Sequence, residues 1–270
     1  MRFVSLATPA GPRAGVLRDG RVHPLDESLL SMVAAGLPAE VEPPPRDALA
    51  AEEVELLPPI ERPSKIICMG LNYRAHAEEQ GTEAPETPTI FAKFANALSP
   101  PGATVELPRF SSKVDYEAEV AFVIGDRCKE VTVESAMEHV AGYTLFNDLS
   151  ARDLQFKTPQ WMPGKVFDGS APCGPALVTP DDAGPHDAIE FKLELNGEVM
   201  QEASTSDLIH SVPEVIAHLS KLMTLEPGDV VSTGTPAGVG STRDPHVWLK
   251  PGDECVIESP TLGRLVTRLS

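Results

Sequence analysis

The sequence predicts a mixed α/β protein, predominantly β, with a small N-terminal accessory domain at residues 1–60 and a larger domain at residues 61–270. Three observations predict it. Proline is abundant, 27 of 270 residues, against a usual share of about 5%, which favours rigid turns and short strands over long helices. Two dipeptides suited to tight primed turns, Asp19-Gly20 and Asn196-Gly197, sit between strand-like runs. Short apolar, β-branched runs such as Val120-Ala121-Phe122-Val123-Ile124 recur in the larger domain.

Taken in order, GVLRDGRVHPL reads as a hairpin and SLLSMVAAGL as a short helix ended by Gly36. Prolines at 43–45, 58–59 and 63 mark the junction between the domains. KIICMG is a strand ending in Gly70, and FKLELNGEVMQE is a second hairpin. LEPGDVVSTG and LKPGDECVIES share the form L-x-P-G-D followed by a strand, two similar units with no wider repeat. One helix is well marked. SVPEVIAHLSKLM has Ser211 as N-cap, Pro213 and Glu214 in the first turn, and a stripe of Val215, Ile216, Leu219, Leu222 and Met223. Its His218 is assigned a structural role. The sum is a closed or rolled sheet with a few helices, and its core is largely aliphatic because aromatics make up only 5% of the chain.

A hydrophobic share of 41% and a charged share of 23% are ordinary globular values and exclude a disordered chain. The net charge of −18 repels nucleic acid and acidic membranes, and no Lys/Arg run exists to capture them, so neither is expected as a partner. The same charge repels a small anion. A site for one must therefore carry local positive charge from a metal, Lys or Arg. Cys68, Cys128, Cys173 and Cys255 have neither zinc-ribbon nor disulfide-framework spacing. The N-terminus lacks the apolar core of a signal peptide and no run of about 18 apolar residues occurs, so a cytoplasmic protein is expected.

Five stretches could carry chemistry. In VDYEAEV, Asp115, Glu117 and Glu119 are spaced two apart, so in a strand they share one face at the edge of a buried run. Buried like charges are costly unless neutralised, and oxygen ligands on one strand face suit Mg²⁺, Mn²⁺ or Ca²⁺. A solvated strand start is the plain alternative. In YTLFNDLSARDLQ, Asp148 stands at a strand-to-helix corner. Ser150 and Asp153 form a capping pattern, and Arg152 and Gln155 share a helical face suited to gripping a carboxylate and a carbonyl. Lys165 lies in a Pro/Gly-rich loop, where beside a cation it could stabilise an enolate oxygen. His76 and Glu79 are three apart, the spacing of a carboxylate that orients a general base. STGTPAGVG lacks the ending of a nucleotide-binding P-loop, but Thr235 and nearby N–H groups could hold a carboxylate.

In this order and spacing, GLNYRAHAEE, DYEAEVAFVIG, YTLFNDLSARDLQ, PGKVFDGSAPCGP and STGTPAGVG resemble the fumarylacetoacetate hydrolase family over about residues 58–270. The first 60 residues are similar to the small leading domain of bacterial members. The resemblance implies a β-roll core and a homodimer. It implies metal ligands at Glu117, Glu119 and Asp148, for Mg²⁺ or Mn²⁺ with Ca²⁺ also open. It further implies substrate contacts at Arg152, Gln155 and Thr235, an enolate-stabilising Lys165, and a His76–Glu79 dyad on a mobile lid. Asn72 stands where the founding enzyme has a fourth metal-binding Asp, so three protein ligands are expected, and Val166 replaces the usual Ser or Thr after the lysine.

The expected substrate is a small anionic keto acid. The leading reading is hydrolysis of a 2,4-diketo acid of the acylpyruvate or fumarylpyruvate type, releasing pyruvate after His76 activates a water. The alternative is an oxaloacetate decarboxylase or a hydroxymuconate-type isomerase on the same metal-enolate platform. A third reading is a non-catalytic protein that binds metal and dicarboxylate.

Overall fold

Alternation in one strand explains the architecture. In the computed structural model, which describes residues 1–42 and 48–270, all of Ala118–Ile124 is buried. Val120, Phe122 and Ile124 enter one apolar cluster, while Ala121 and Val123 enter another. A strand covered on both faces reads as a continuous apolar run rather than an alternating one. The proline run at 43–45 lies outside the described residues.

The first sixty residues give β1 (Arg2–Leu6), β2 (Arg13–Arg18), β3 (Arg21–Pro24), α1 (Leu29–Ala35), β4 (Leu49–Ala50) and β5 (Leu56–Leu57). Next come β6 (Ile66–Gly70), α2 (Arg74–Glu79), β7 (Thr89–Lys93), β8 (Leu98–Ser99), β9 (Thr104–Val105) and β10 (Val114–Asp115). β11 (Ala118–Ile124), β12 (Val140–Asn147), β13 (Ser150–Ala151), α3 (Arg152–Gln155), β14 (Ala171–Val178) and α4 (Pro180–Ala183) follow. The chain closes with β15 (Glu190–Leu195), β16 (Glu198–Ser204), α5 (Val212–Leu222), β17 (Val230–Ser232), β18 (Glu254–Ser259) and β19 (Gly263–Leu269).

Among the described residues, the largest sheet has 12 strands, with a main path β4-β3-β2-β1-β14-β12-β11-β17-β6-β7. β1 pairs antiparallel with β14, so the N-terminal strands run on into the same sheet as the strands after residue 60. A second sheet has the order β16-β15-β18-β19-β9, and β10 and β13 form a separate pair. No helix among the described residues is long and apolar enough to cross a membrane.

Local signals explain the connections. Asp19 and Gly20 (φ 50° and 71°) and Asn196 and Gly197 (φ 52° and 85°) make the two hairpin turns. The L-x-P-G-D units form the same turn. The Asp229 N–H donates to Glu226 O at 3.0 Å and the Asp253 N–H to Lys250 O at 3.1 Å. Each aspartate carboxylate also takes the N–H of the first turn residue at 2.8 Å. Ser211 and Glu214 form a capping box that opens α5. Val212, Val215, Ile216 and Leu219 face the core, each worth ~1.5–3 kcal/mol of burial. Leu222 does not belong to this stripe, because it is 56% exposed where the helix ends.

Candidate active site

The register of β11 on β12 sets the charged floor. Ala118 faces Asn147, so the next residues outward, Glu117 and Asp148, come together, and the Asp148 N–H donates to Glu117 O at 2.9 Å. Carboxylate oxygens of Glu117, Glu119 and Asp148 lie within 4.8 Å of one another, and all three residues are buried. Lys165 reaches them from the turn after Met162–Gly164. Its Nζ donates to Glu117 Oε2 at 2.7 Å and Asp148 Oδ2 at 2.8 Å. Gly164 permits this approach, since a Cβ there would lie 2.5 Å from Ala151 O and 2.7 Å from the Gln155 nitrogen. Lys93, which sequence reasoning missed, donates to Asp148 Oδ1 at 2.7 Å from the end of β7. Only its place at the end of an apolar run hinted at burial.

Two glutamates two residues apart take opposite electrostatic states. Burial pushes the Glu117 carboxyl up, but Lys165 and Arg152 outweigh it and hold the group down at about 2. Burial pushes Glu119 up as well, and the charges of Asp148 and Glu117 add to the rise. Its partners are the Ser232 hydroxyl and the Gly234 N–H, and among the described residues no Lys or Arg pairs with it. Burial works against the Lys165 ammonium, yet Asp148 and Glu117 keep it protonated. Around this floor four carboxylates (Asp115, Glu117, Glu119, Asp148) meet three cations (Lys93, Arg152, Lys165). The cluster is short of one positive charge, and that shortage sits on Glu119. An all-oxygen donor set with a net negative charge fits a hard divalent cation, and the resulting site would be net positive toward an anionic substrate.

Arg152 and Gln155 share a face as their spacing requires, with Arg152 Nη1 donating to Gln155 Oε1 at 2.9 Å. The same nitrogen lies 2.6 Å from Glu117 Oε1. The expected Ser150–Asp153 cap does not form. Ala151 holds the N-cap position without a side-chain bond. Ser150 Oγ donates instead to Asp148 O at 2.8 Å, and Asp153 accepts from Ser111 Oγ at 2.6 Å.

Asp115, expected only to share the glutamates' face, has a different place. The strand breaks at Tyr116 and Glu117, between β10 and β11, so the alternation does not run through. Asp115 is fully buried and accepts from Arg152 Nε at 2.9 Å, Gly240 N at 2.7 Å and Ser241 N at 3.0 Å. A Cβ at Gly240 would lie 1.9 Å from Val247 O and 2.7 Å from Asp115 Oδ1. That glycine is what lets the backbone reach the carboxylate.

On the opposite wall, His76 Nδ1 lies 2.9 Å from Glu79 Oε2, and the Gln80 amide nitrogen lies 2.8 Å from His76 Nε2. With the Gln80 amide nitrogen as donor, Nε2 is the accepting nitrogen and Nδ1 faces the Glu79 carboxylate. Glu79 Oε1 takes the Gly238 N–H at 2.9 Å. Burial raises the Glu79 carboxyl, but the hydrogen bonds from His76 and Gly238 bring it below its usual range. Asn72 is not aimed at the floor. Its side chain bonds His210 N and O at 2.9 and 3.1 Å and Thr233 O at 2.9 Å, bolting loops together.

A pocket of about 230 Å³ brings together His76, Glu117, Glu119, Arg152, Gln155, Lys165 and Thr235. Glu79 touches it through His76, and Asp148 through Lys165. Phe91 and Trp161 supply its apolar wall, with Lys165 Nζ 4.9 Å from the Phe91 centroid. The Thr235 hydroxyl is already engaged, donating to Ala118 O at 3.0 Å and accepting from Gln201 Nε2 at 2.8 Å. Gln201 gave no sequence signal, yet its Oε1 also takes the Ala118 N–H at 2.9 Å, pinning the Thr235 loop to the start of β11. A larger groove of about 780 Å³, beside Lys192 and Glu258, contains none of these groups, so the charge cluster rather than size marks the site.

The mostly-β fold closes a small pocket over three buried carboxylates. Residues 65–270 match the fumarylacetoacetate hydrolase C-terminal family model, and residues 1–59 match an Rv2993c-like N-terminal model. The chain belongs to the fumarylacetoacetate hydrolase family. It is 43% identical over 246 residues to the oxaloacetate tautomerase FAHD2A of Bos taurus, covering 90% of this chain and 76% of that protein. The fumarylacetoacetate hydrolase of Exiguobacterium antarcticum superposes with a TM-score of 0.91 at 33% identity, covering 100% of this chain and 99% of that one. A 5-carboxymethyl-2-hydroxymuconate delta-isomerase from Mycobacterium smegmatis gives 0.82 at 36% identity, covering 100% and 98%.

Proposed function

We propose that this chain is a divalent-metal-dependent enzyme that interconverts the keto and enol forms of a small 2-oxo dicarboxylate such as oxaloacetate. One observation carries the reading. A pocket of about 230 Å³, below the ~300–1,000 Å³ of sites for drug-sized ligands, sets an imidazole oriented by Glu79 together with an acid floor and its lysine. That space suits a short acid, and the groups suit proton transfer beside a developing negative charge. The names of the relatives, an oxaloacetate tautomerase and a hydroxymuconate isomerase, support it.

Glu117, Glu119 and Asp148 would hold the cation, with Mg²⁺ or Mn²⁺ the ions that suit them. When bound, such an ion supplies Lewis-acid polarisation of the substrate oxygens. Arg152 and Gln155 grip the anionic end, with Asp115 fixing the guanidinium. His76 Nε2, once Gln80 releases it, takes the proton from the carbon next to the carbonyl. Ionised Glu79 on Nδ1 stabilises the resulting imidazolium. Lys165, kept charged by its carboxylates, stabilises the enolate oxygen. The proton then passes from Nε2 to that oxygen, which completes the enol.

The His76–Glu79 pair equally suits activation of a water, which keeps acylpyruvate hydrolysis as a second reading. Ultraviolet assay of the purified chain with Mg²⁺ or Mn²⁺ separates the two. The expected result is enol–keto interconversion of oxaloacetate accelerated at least about a hundredfold, the scale of a positioned general base. Pyruvate release from acylpyruvates without accelerated oxaloacetate interconversion would make the hydrolase reading the correct one.

A further inference from the structure

Gln80 closes α2 and sits against the atom that moves the proton. Its backbone N–H donates to His76 O at 3.1 Å, the Gly81 N–H donates to Glu78 O at 3.0 Å, and the Thr82 N–H returns to Ala77 O at 3.0 Å. Gly81 turns the chain here with φ 65°. This cap fixes the Gln80 backbone at the rim of the pocket, which the side chain lines. The carboxamide lies 2.8 Å from His76 Nε2 and makes no other side-chain hydrogen bond among the described residues.

Most other uncharged polar groups around the pocket are engaged. The Thr235 hydroxyl donates to Ala118 O, the Thr82 hydroxyl donates to Ala77 O at 3.3 Å, and Gln155 Oε1 accepts from Arg152. Gln80 is exposed and retains a second N–H. Its position matches one part of the substrate. With the first carboxylate at Arg152 and Gln155 and the carbonyl oxygen at Lys165, the carbon that loses a proton must lie ~3–3.5 Å from His76 Nε2. In a four-carbon 2-oxo diacid the second carboxylate is bonded to that carbon. It therefore lies beside Nε2, where the carboxamide stands.

We propose that Gln80 recognises the carboxylate on the carbon that gives up its proton, and so selects 2-oxo dicarboxylates over 2-oxo monocarboxylates. The assignment rests on the keto–enol reading of the site. The amide turns from Nε2 to the carboxylate oxygen, so the contact that binds the substrate also uncovers the base. No covalent bond changes in this exchange. An amide suits the place because it offers N–H donors without charge. A lysine or arginine there would compete with His76 for Glu79, which lies 2.9 Å from Nδ1.

The test compares oxaloacetate with 2-oxobutanoate, which differ in a carboxylate against a methyl on the carbon that is deprotonated. Deuterium uptake at that carbon, followed by NMR with Mg²⁺ present, gives kcat/KM for each acid above its uncatalysed rate. In Gln80→Leu the ratio of oxaloacetate to 2-oxobutanoate should fall about tenfold, the low end for a hydrogen bond to a charged group. In Gln80→Glu it should fall further, because two carboxylates then face each other. The ratio is taken within one variant, so a loss of folded protein cancels. A ratio equal to the parent's in either variant overturns the assignment. If the parent exchanges neither acid, the keto–enol reading fails by itself. Titration calorimetry of the same two acids then decides on Gln80: an affinity ratio that drops in Gln80→Leu sustains the contact, and an unchanged one overturns it.

Discussion

The acid floor and the His76 wall face each other across one pocket and are built by opposite rules. The floor stands on long paired strands, is buried throughout, and is locked by Lys93, Lys165 and Arg152 within 2.6–2.8 Å. The wall stands on a six-residue helix without a side-chain cap, and its Glu79 remains 24% exposed. It is held from outside, through Asp207 to Ala75 N at 3.0 Å and Gly238 N to Glu79 at 2.9 Å. Holding concentrated charge requires rigidity and exclusion of water, because like charges there must be fixed against fixed cations. Moving a proton requires a group that can let go of one partner, and a short helix held mainly at its ends allows that.

The comparison breaks most severely at Glu119. In Glu119→Gln, binding of Mg²⁺ or Mn²⁺ measured by calorimetry should be lost by at least about a hundredfold, since a first ligand goes, and turnover should fall to background. The metal-free variant should nevertheless melt higher than the metal-free parent at neutral pH, because a carboxyl whose ionisation burial and its acidic neighbours oppose is gone. Unchanged metal affinity would remove the triad from the metal reading.

On the wall the effect is smaller and of a different kind. His76→Ala should lower kcat by about 10²–10⁴, the range for loss of a general base, with metal affinity by calorimetry unaltered. A parallel loss of metal binding would mean that wall and floor are one rigid unit, not two.

The mildest expectation concerns pH. The Glu119 carboxyl is raised above its ordinary 4.5, so its contribution to metal-free stability is full below that value and is lost as pH rises through the folded pKa. Glu117 has the opposite sign. Held at about 2, it stabilises the fold above 4.5 and loses that contribution as pH falls through about 2. A divalent ion must displace the Glu119 proton, so metal affinity should rise with pH until the raised folded pKa is passed, by at most about tenfold per unit for a single proton. Calorimetry in buffers of different protonation heat reads that proton directly, and binding without proton release would contradict the assignment.

Short-range spacing was enough for much of this. The hairpins at Asp19-Gly20 and Asn196-Gly197, both Pro-Gly-Asp turns and the capping box of α5 depend on residues within four positions of each other, where periodicity and turn chemistry decide. The same holds for the His76–Glu79 and Arg152–Gln155 pairs. Carboxylates beside a buried run need neutralising, and the family resemblance implies Glu117, Glu119 and Asp148 as the ones that hold a cation. The Ser150–Asp153 cap misled because the backbone of β13 pairs with β10 instead, freeing Ser150 for the Asp148 carbonyl.

What only the tertiary structure decided are the partners that lie far along the chain. Asp115 meets Arg152 across 37 residues, Lys93 meets Asp148 across 55, and Gln201 meets Ala118 across 83. The sequence alone determined which residues could carry charge and which face of an element they share. Which cation neutralises which carboxylate, and that among the described residues of the floor Glu119 is left without one, follow from sheet register and packing, because Coulomb and hydrogen-bond energies depend on distances of a few ångströms that no local pattern encodes.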